Sequence, residues 1–239
     1  STLFPYTTLF RSRELSDRAG ERRAYSNLAI AYNSVNDFES SIHYHLCHLS
    51  VTKEMKDKAG EGRVYTNLGI AYHNSGKFEE ALHYHKLALD ITIEVGDKAG
   101  EVEACFNLGD AYKSRCDFEK ASECYLRSLD ITKEVGDRVG EGDAYSKLGS
   151  AYLSLGYSAK AIKCHEQQLS IAKELGDRDR EGGAYANLGI AHSSDCNHQT
   201  AIGYHQHDLK ISVELGNRAG EGRANANLGN VYLALCDFK

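Results

Sequence analysis

A leucine recurs at Leu28, Leu68, Leu108, Leu148, Leu188 and Leu228, always forty residues after the last. Glu21, Glu61, Glu101, Glu141, Glu181 and Glu221 keep the same step, as do Leu49, Leu89, Leu129, Leu169 and Leu209. A fixed period of this size admits few folds. Each period must be one supersecondary unit that buries its apolar face against the units beside it. The phrase GDRVGEGDAYSKLGSAY at 136–152 has near copies starting at 96, 176 and 216 and looser ones at 16 and 56. Letters that stay constant report the fold, and letters that vary are where a specific function can be written.

Within one period the spacing is helical. Val64, Tyr65, Leu68, Ala71 and Tyr72 form one apolar stripe of a first helix. Asp57 is an N-cap residue type, and Glu61 places an acid in the early turns, where the helix dipole favours it. Gly76, in NSGKF, can take the left-handed conformation that closes a helix. A second helix is expected from about Phe78 to Val95. On it Phe78, Ala81, Leu82, His85, Ala88 and Leu89 make one stripe, and Tyr84, Leu87 and Ile91 another. Two stripes allow one helix to face both its hairpin partner and the next repeat. No period of two appears, which excludes strands. The reading is all-α: a solenoid of helical hairpins with six first helices and five second helices.

Composition agrees and removes several functions. The chain has 239 residues, 41% of them hydrophobic, with one proline and no tryptophan. The net charge of −6 is modest and both signs are interspersed, so no basic block suggests nucleic acid. No apolar run is long enough to insert in a membrane. The seven cysteines form no C-x-x-C pair, so neither a disulfide framework nor a zinc ribbon is indicated. Reduced thiols in a cytoplasmic protein are the expectation. Residues 1–12, STLFPYTTLFRS, hold the one proline and read as a non-native leader, similar to a translated sequencing adaptor, outside the fold. The array then covers 13–239, with units at about 17–56, 57–96, 97–136, 137–176 and 177–216 and an incomplete one at 217–239.

The segment Tyr65-x2-Leu68-Gly69-x2-Tyr72, followed by Ala81-x3-His85, resembles the tetratricopeptide pattern W-x2-L-G-x2-Y…A-x3-F. Gly69 and Ala81 lack bulk where the two helices cross. Two departures stand out: the usual unit has 34 residues and ends in proline, whereas this one has forty and no proline. The long form and its G-D-R-A-G-E-G-R-A-Y-x-N-L-G wording resemble the repeats of the Pins/LGN family of spindle-orientation adaptors. They also resemble the arrays of tetratricopeptide repeat protein 28-like proteins. The resemblance implies a right-handed superhelix whose concave side is lined by the first helices.

On that side the resemblance places Arg63, Asn67, Ile70 and Asn74 and their counterparts in the other repeats. Asparagine fills one column at Asn27, Asn67, Asn107, Asn187 and Asn227, with Lys147 as the break. An amide carries two donors and an acceptor, so it can hold the backbone of an extended peptide without selecting a side chain. Arg23, Arg63 and Arg223, one turn earlier, suit acidic groups. Lys113 and Lys147 offset the acids Glu103, Asp110 and Asp143. The competing reading is that the asparagines simply satisfy neighbouring helices.

The pairs His43/His45, His83/His85 and His205/His207 point to different sides of a helix, so they read as packing groups rather than metal ligands. Cys105, Cys124 and Cys164 take tyrosine positions, and Cys116, Cys196 and Cys236 take the place of turn glycines. Neither a nucleotide-binding glycine motif nor a catalytic residue set apart from the repeat is present, so neither an enzyme nor a cofactor is expected. The leading expectation is a non-catalytic scaffold that binds protein partners through extended peptides, of which a Pins/LGN-like cell-division adaptor is one form, although GoLoco motifs are absent. A sensor arm of a larger signalling ATPase and a self-associating scaffold are the alternatives.

Overall fold

The computed structural model describes residues 3–237, with side chains from Thr7 to Leu235. They form twelve helices and no strand among the described residues, in two compact bodies divided between Asp117 and Phe118. The N-terminal body holds α1 (Leu3–Glu14), α2 (Arg18–Ser34), α3 (Phe38–Glu54), α4 (Lys58–Asn74), α5 (Phe78–Val95) and α6 (Lys98–Ser114). The C-terminal body holds α7 (Phe118–Val135), α8 (Arg138–Ser154), α9 (Ser158–Glu174), α10 (Arg178–Ser194), α11 (His198–Glu214) and α12 (Arg218–Asp237). The even-numbered helices are the six expected first helices, and α3, α5, α7, α9 and α11 are the five second helices.

Each first helix starts the same way. Asp17, Asp57, Asp97 and Asp137 accept a hydrogen bond from the backbone N–H three residues on, at Gly20, Gly60, Gly100 and Gly140. Asp177 does so from Arg180 and Asn217 from Gly220. A Cβ at Gly20, Gly60, Gly100 or Gly140 would lie 2.3–2.6 Å from the capping carboxylate, so cap and glycine are one device. Turns obey a half-period of twenty. Ser16, Asn36, Lys56, Gly76, Gly96, Cys116, Gly136, Gly156, Gly176, Cys196 and Gly216 all have φ between 53° and 78°. At the α5 end, the N–H groups of Gly96 and Asp97 bond to the carbonyls of Ile93 and Thr92, a Schellman closure that satisfies the last turn. Cys236 departs from the reading: α12 runs through it to Asp237, so no turn forms there.

The core follows the stripes. Val64, Tyr65, Leu68 and Ala71 of α4 are buried with Ile42 and Leu49 of α3 and Ala88 and Ile91 of α5. Full burial of Leu68 alone stabilises the fold by roughly 2–3 kcal/mol. Tyr72 stacks on Tyr84 within one hairpin, as Tyr32 does on Tyr44. His45, His85, His165 and His205 are fully buried packing groups. The space at Gly69 is taken by the imidazole of His85 rather than by backbone of α5: a Cβ there would lie 2.3 Å from that ring.

Two polar ties recur with the repeat. Arg18 bridges Glu21 (2.8 Å) in its own helix and Glu54 (2.9 Å) at the end of α3, and Arg178 bridges Glu181 and Glu214 in the same way. At four joints a cation in the last turn also lies over a tyrosine of the following first helix: Arg13 over Tyr25, Lys53 over Tyr65, Lys133 over Tyr145 and Lys173 over Tyr185. Where the cation column holds Ile93 or Val213, the tyrosine column holds Cys105 or Asn225.

α1 spans most of the stretch 1–12 set aside as a leader and runs on to Glu14. It packs on α2, with Leu9 buried among Ala24, Tyr25, Leu28 and Val51. Leu9, Ser12 and Arg13 stand forty residues before Leu49, Thr52 and Lys53, so the register reaches back into the leader. The periodic letters there are too few to be seen without the packing.

Candidate functional site

The first-helix face of the N-terminal body carries two adjoining clefts. The larger, about 380 Å³, lies between α4, α5 and α6. Ile91 and Val95 of α5 make an apolar floor. One wall is Gly62, Arg63, Thr66 and Asn67 of α4, and the other is Ala99, Gly100 and Glu103 of α6. The cleft exists because its walls lack side chains where they face the floor. Gly62 has no room for more, since a Cβ would sit 3.1 Å from Ile91. Gly100 is fixed by the Asp97 cap.

The second cleft, about 200 Å³, lies one repeat earlier and is lined by Arg22, Arg23, Ser26, His48, Gly60 and Arg63. Arg22 binds Asp57 at 2.6 Å, and Arg63 approaches the same carboxylate at 4.0 Å. Asp57 is held below the usual carboxylate range by the N–H of Gly60 and then by the two guanidinium groups, against the effect of burial. Burial first, then Arg22 and Arg63, pushes His48 down to about 4, so its ring is neutral at pH 7. Three arginines line this cleft and two of them approach the one carboxylate of Asp57, so the cleft is positive. Arg63 borders both clefts and is 70% exposed.

The other residues singled out in the sequence divide. In the N-terminal body Arg23, Asn27 and Lys113 are exposed, and the Asn107 amide nitrogen is buried without a hydrogen-bond partner. In the C-terminal body the amide of Asn187 donates to Ser146 (3.3 Å) and Gln168 (3.1 Å), so it ties α8, α9 and α10 together. Arg223 binds Asp208 at 3.2 Å, and Asp208 is 0% exposed, its pKa raised by burial against the pull of Arg223. Lys147 lies 5.8 Å from the centre of the Tyr125 ring. Asn227 borders a hollow of about 330 Å³ with Ile190, His205 and Val231.

The sequence reading missed the cleft floor. It took the groove from first helices alone, whereas Ile91, Val95 and His48 come from second helices. A signal was present: Gly62, Gly142, Gly182 and Gly222 recur inside first helices, where glycine is otherwise unfavourable. The exposed Cys116 and Cys196 and the buried Cys105 and Cys164 lie where the repeat predicts. No group of three or more His, Cys, Asp or Glu that would hold a metal occurs among the described residues. None of the described helices is long and apolar enough to cross a membrane.

The tetratricopeptide repeat family model matches residues 60–134 and 140–212, more than half of the chain, and the chain belongs to that family. Repeats of this kind are typically non-catalytic scaffolds for protein–protein interaction. Among solved structures the fold is similar to BtubC (BKLC) from P. vanneervenii, at 21% identity and a TM-score of 0.80 over 90% of this chain and 91% of that one. It is also similar to part of a signal transduction ATPase with numerous domains (STAND) protein with a tetratricopeptide repeat sensor from Pyrococcus horikoshii, at 19% identity and a TM-score of 0.70 over 91% of this chain and 36% of that one. A Rap protein complexed with competence and sporulation factor aligns at 14% identity and a TM-score of 0.69 over 91% of this chain and 64% of that one. No curated protein sequence matches the chain.

Proposed function

We propose that the chain is a protein-interaction scaffold whose N-terminal body binds an extended peptide. An acidic side chain of that peptide sits over Arg23 and Arg63, and a neighbouring apolar side chain enters the cleft floored by Ile91 and Val95. One observation carries the reading: a positive cleft and an apolar-floored cleft adjoin and share Arg63. Asn27 and Asn67 then serve the peptide backbone, each amide offering both donors and an acceptor. Asn187 and Arg223 are assigned to the fold instead, because each already has an internal partner.

The test is fluorescence anisotropy with short labelled peptides that pair Asp or Glu with Leu or Phe. Arg63→Ala combined with Asn67→Ala should weaken binding about tenfold or more, the worth of one charge-assisted hydrogen bond. Unchanged affinity discards the reading. A pull-down with the wild-type chain against this double variant then names the partner.

A second reading, the sensor arm of a larger signalling ATPase, is favoured by the likeness to the Pyrococcus horikoshii protein. A nucleotide-binding domain in the flanking gene sequence would select it. The narrower reading, a Pins/LGN-like cell-division adaptor, rests on the wording of the repeat and calls for GoLoco motifs in that flanking sequence.

A further inference from the structure

The two bodies carry the same cleft in different states. In the C-terminal body the counterpart lies between α8, α9 and α10, and only about 10 Å³ of it remains. Six of the seven residues that line it stand eighty places after residues lining the open cleft: Val139, Gly142, Ile171, Ala172, Leu175 and Arg180 for Ala59, Gly62, Ile91, Thr92, Val95 and Gly100. Two of these pairs are identical, Gly62 with Gly142 and Ile91 with Ile171, and three exchange one or two methyl-sized groups. The seventh lining residue, Gln168, stands where the N-terminal body has Ala88 and also takes up space. The change at position 100 against 180 replaces a hydrogen atom with a guanidinium group.

Position 180 is the one break in a column otherwise made of Gly20, Gly60, Gly100, Gly140 and Gly220. Gly20, Gly60, Gly100 and Gly140 are enforced by the capping carboxylate beside them, and Gly220 by Ser212 and the Asn217 amide. Arg180 resolves that conflict by turning the cap into a partner: its backbone N–H still donates to Asp177 (3.0 Å), and its Nε pairs with the same carboxylate at 3.2 Å. From α10 its guanidinium then spans to Asp143 on α8, closing the cleft wall to wall. Asp143 occupies the place that Arg63 holds in the open cleft. Both walls have thus exchanged character together, from arginine facing glycine to aspartate facing arginine.

We propose that Arg180 is a built-in plug that closes the C-terminal copy of the cleft and confines ligands with an apolar side chain to the N-terminal copy. The assignment rests on the cleft reading above, but it can fail separately. Arg180→Gly restores the residue that the repeat uses elsewhere, so the variant should fold. The probe is benzyl alcohol, an uncharged ring, titrated at millimolar concentration and followed by amide chemical shifts, which report each cleft by its own glycines.

In the wild type, saturable shifts are expected at Gly62 and Gly100 and not at Gly142 or the amide of residue 180. In Arg180→Gly, Gly142 and the amide of residue 180 should respond over the same concentration range. A response at Gly62 in both proteins with none at Gly142 in the variant overturns the plug and leaves the cleft reading intact. A response at Gly142 in the variant without one at Gly62 overturns the confinement of ligands to the N-terminal copy, together with the cleft reading. Silence at both sites in both proteins overturns the plug as well. As a second measure, Asp143→Arg with Arg180→Gly should raise the stoichiometry of a cleft-binding peptide from one to two per chain.

Discussion

Mild acid should unfold this chain through its buried imidazoles. Burial, with a smaller contribution from His48, pushes His45 down to about 4. Burial, with His73 adding and Asp110 opposing, does the same to His85. Their pKa values are depressed in the folded state, so the stability they confer is complete above the unfolded value of 6.5. It is lost progressively as pH falls from there towards 4. Between pH 7 and pH 5 the unfolded imidazole takes up most of a proton while the buried ring stays neutral. That difference removes about 1.8 kcal/mol per ring, roughly 3.5 kcal/mol for the two. His165 and His205 are shifted in the same direction and add to the loss. Urea unfolding followed by far-UV circular dichroism at the two pH values measures it. His45→Phe with His85→Phe should abolish their share, and the third repeat already buries a larger ring, Tyr125, in this column. A wild-type loss below about 1 kcal/mol, or an equal loss in the double variant, would show that these rings do not titrate as their burial requires.

Three further substitutions separate neighbouring ideas by urea or thermal unfolding. Gly69→Ala forces a methyl into the His85 ring, whereas Gly183→Ala meets open space; both gain the same helix propensity, so the second should exceed the first in stability by about 1–3 kcal/mol. Cys196→Gly relieves a left-handed residue at φ 58° and should stabilise by about 0.5–1 kcal/mol after the entropy cost of glycine; a destabilised variant would mean that the thiol is held by contacts. Asn187→Ala should cost about 1–2 kcal/mol for its two hydrogen bonds, while Asn27→Ala at an exposed position stays within about 0.5 kcal/mol; equal effects would dissolve the distinction between fold asparagines and ligand asparagines.

What could be read from the sequence was whatever repeats. Asp57 and Leu68 declare their roles because cap and core each demand a residue type and six copies make the demand visible, whereas the turn at Gly76 also accepts Asn36, Cys116 and Cys196 and is marked by glycine only at Gly76 and Gly156. The asparagine column was only half legible. Its letters are the same in five repeats, but Asn187 meets Gln168 and Ser146 while Asn27 meets none of these, and the partner on the second helix decides which role results. The floor of the cleft escaped for a related reason. Ile91 and Val95 look like ordinary core letters, and only the cleft shows that Ile91 packs on Gly62 while Val95 stays exposed beside it. Arg180 was visible as a break in a glycine column, yet its meaning depends on Asp143, thirty-seven residues away, standing opposite.

The left-handed residue every twenty positions has a consequence for how such a chain changes length. A helix and its turn always consume the same number of residues, so joints fall at equivalent points throughout. Excising forty residues, for example 58–97, delivers Lys98 to the Asp57 cap and the α6 stripe to the α3 surface in the same register, with Ala104 and Cys105 standing where Val64 and Tyr65 stood. Excising twenty would keep every turn intact and still present a second-helix face where a first helix belongs. Length in this chain is therefore quantised: whole repeats can be duplicated or lost by unequal recombination without inventing a new interface, and half repeats cannot.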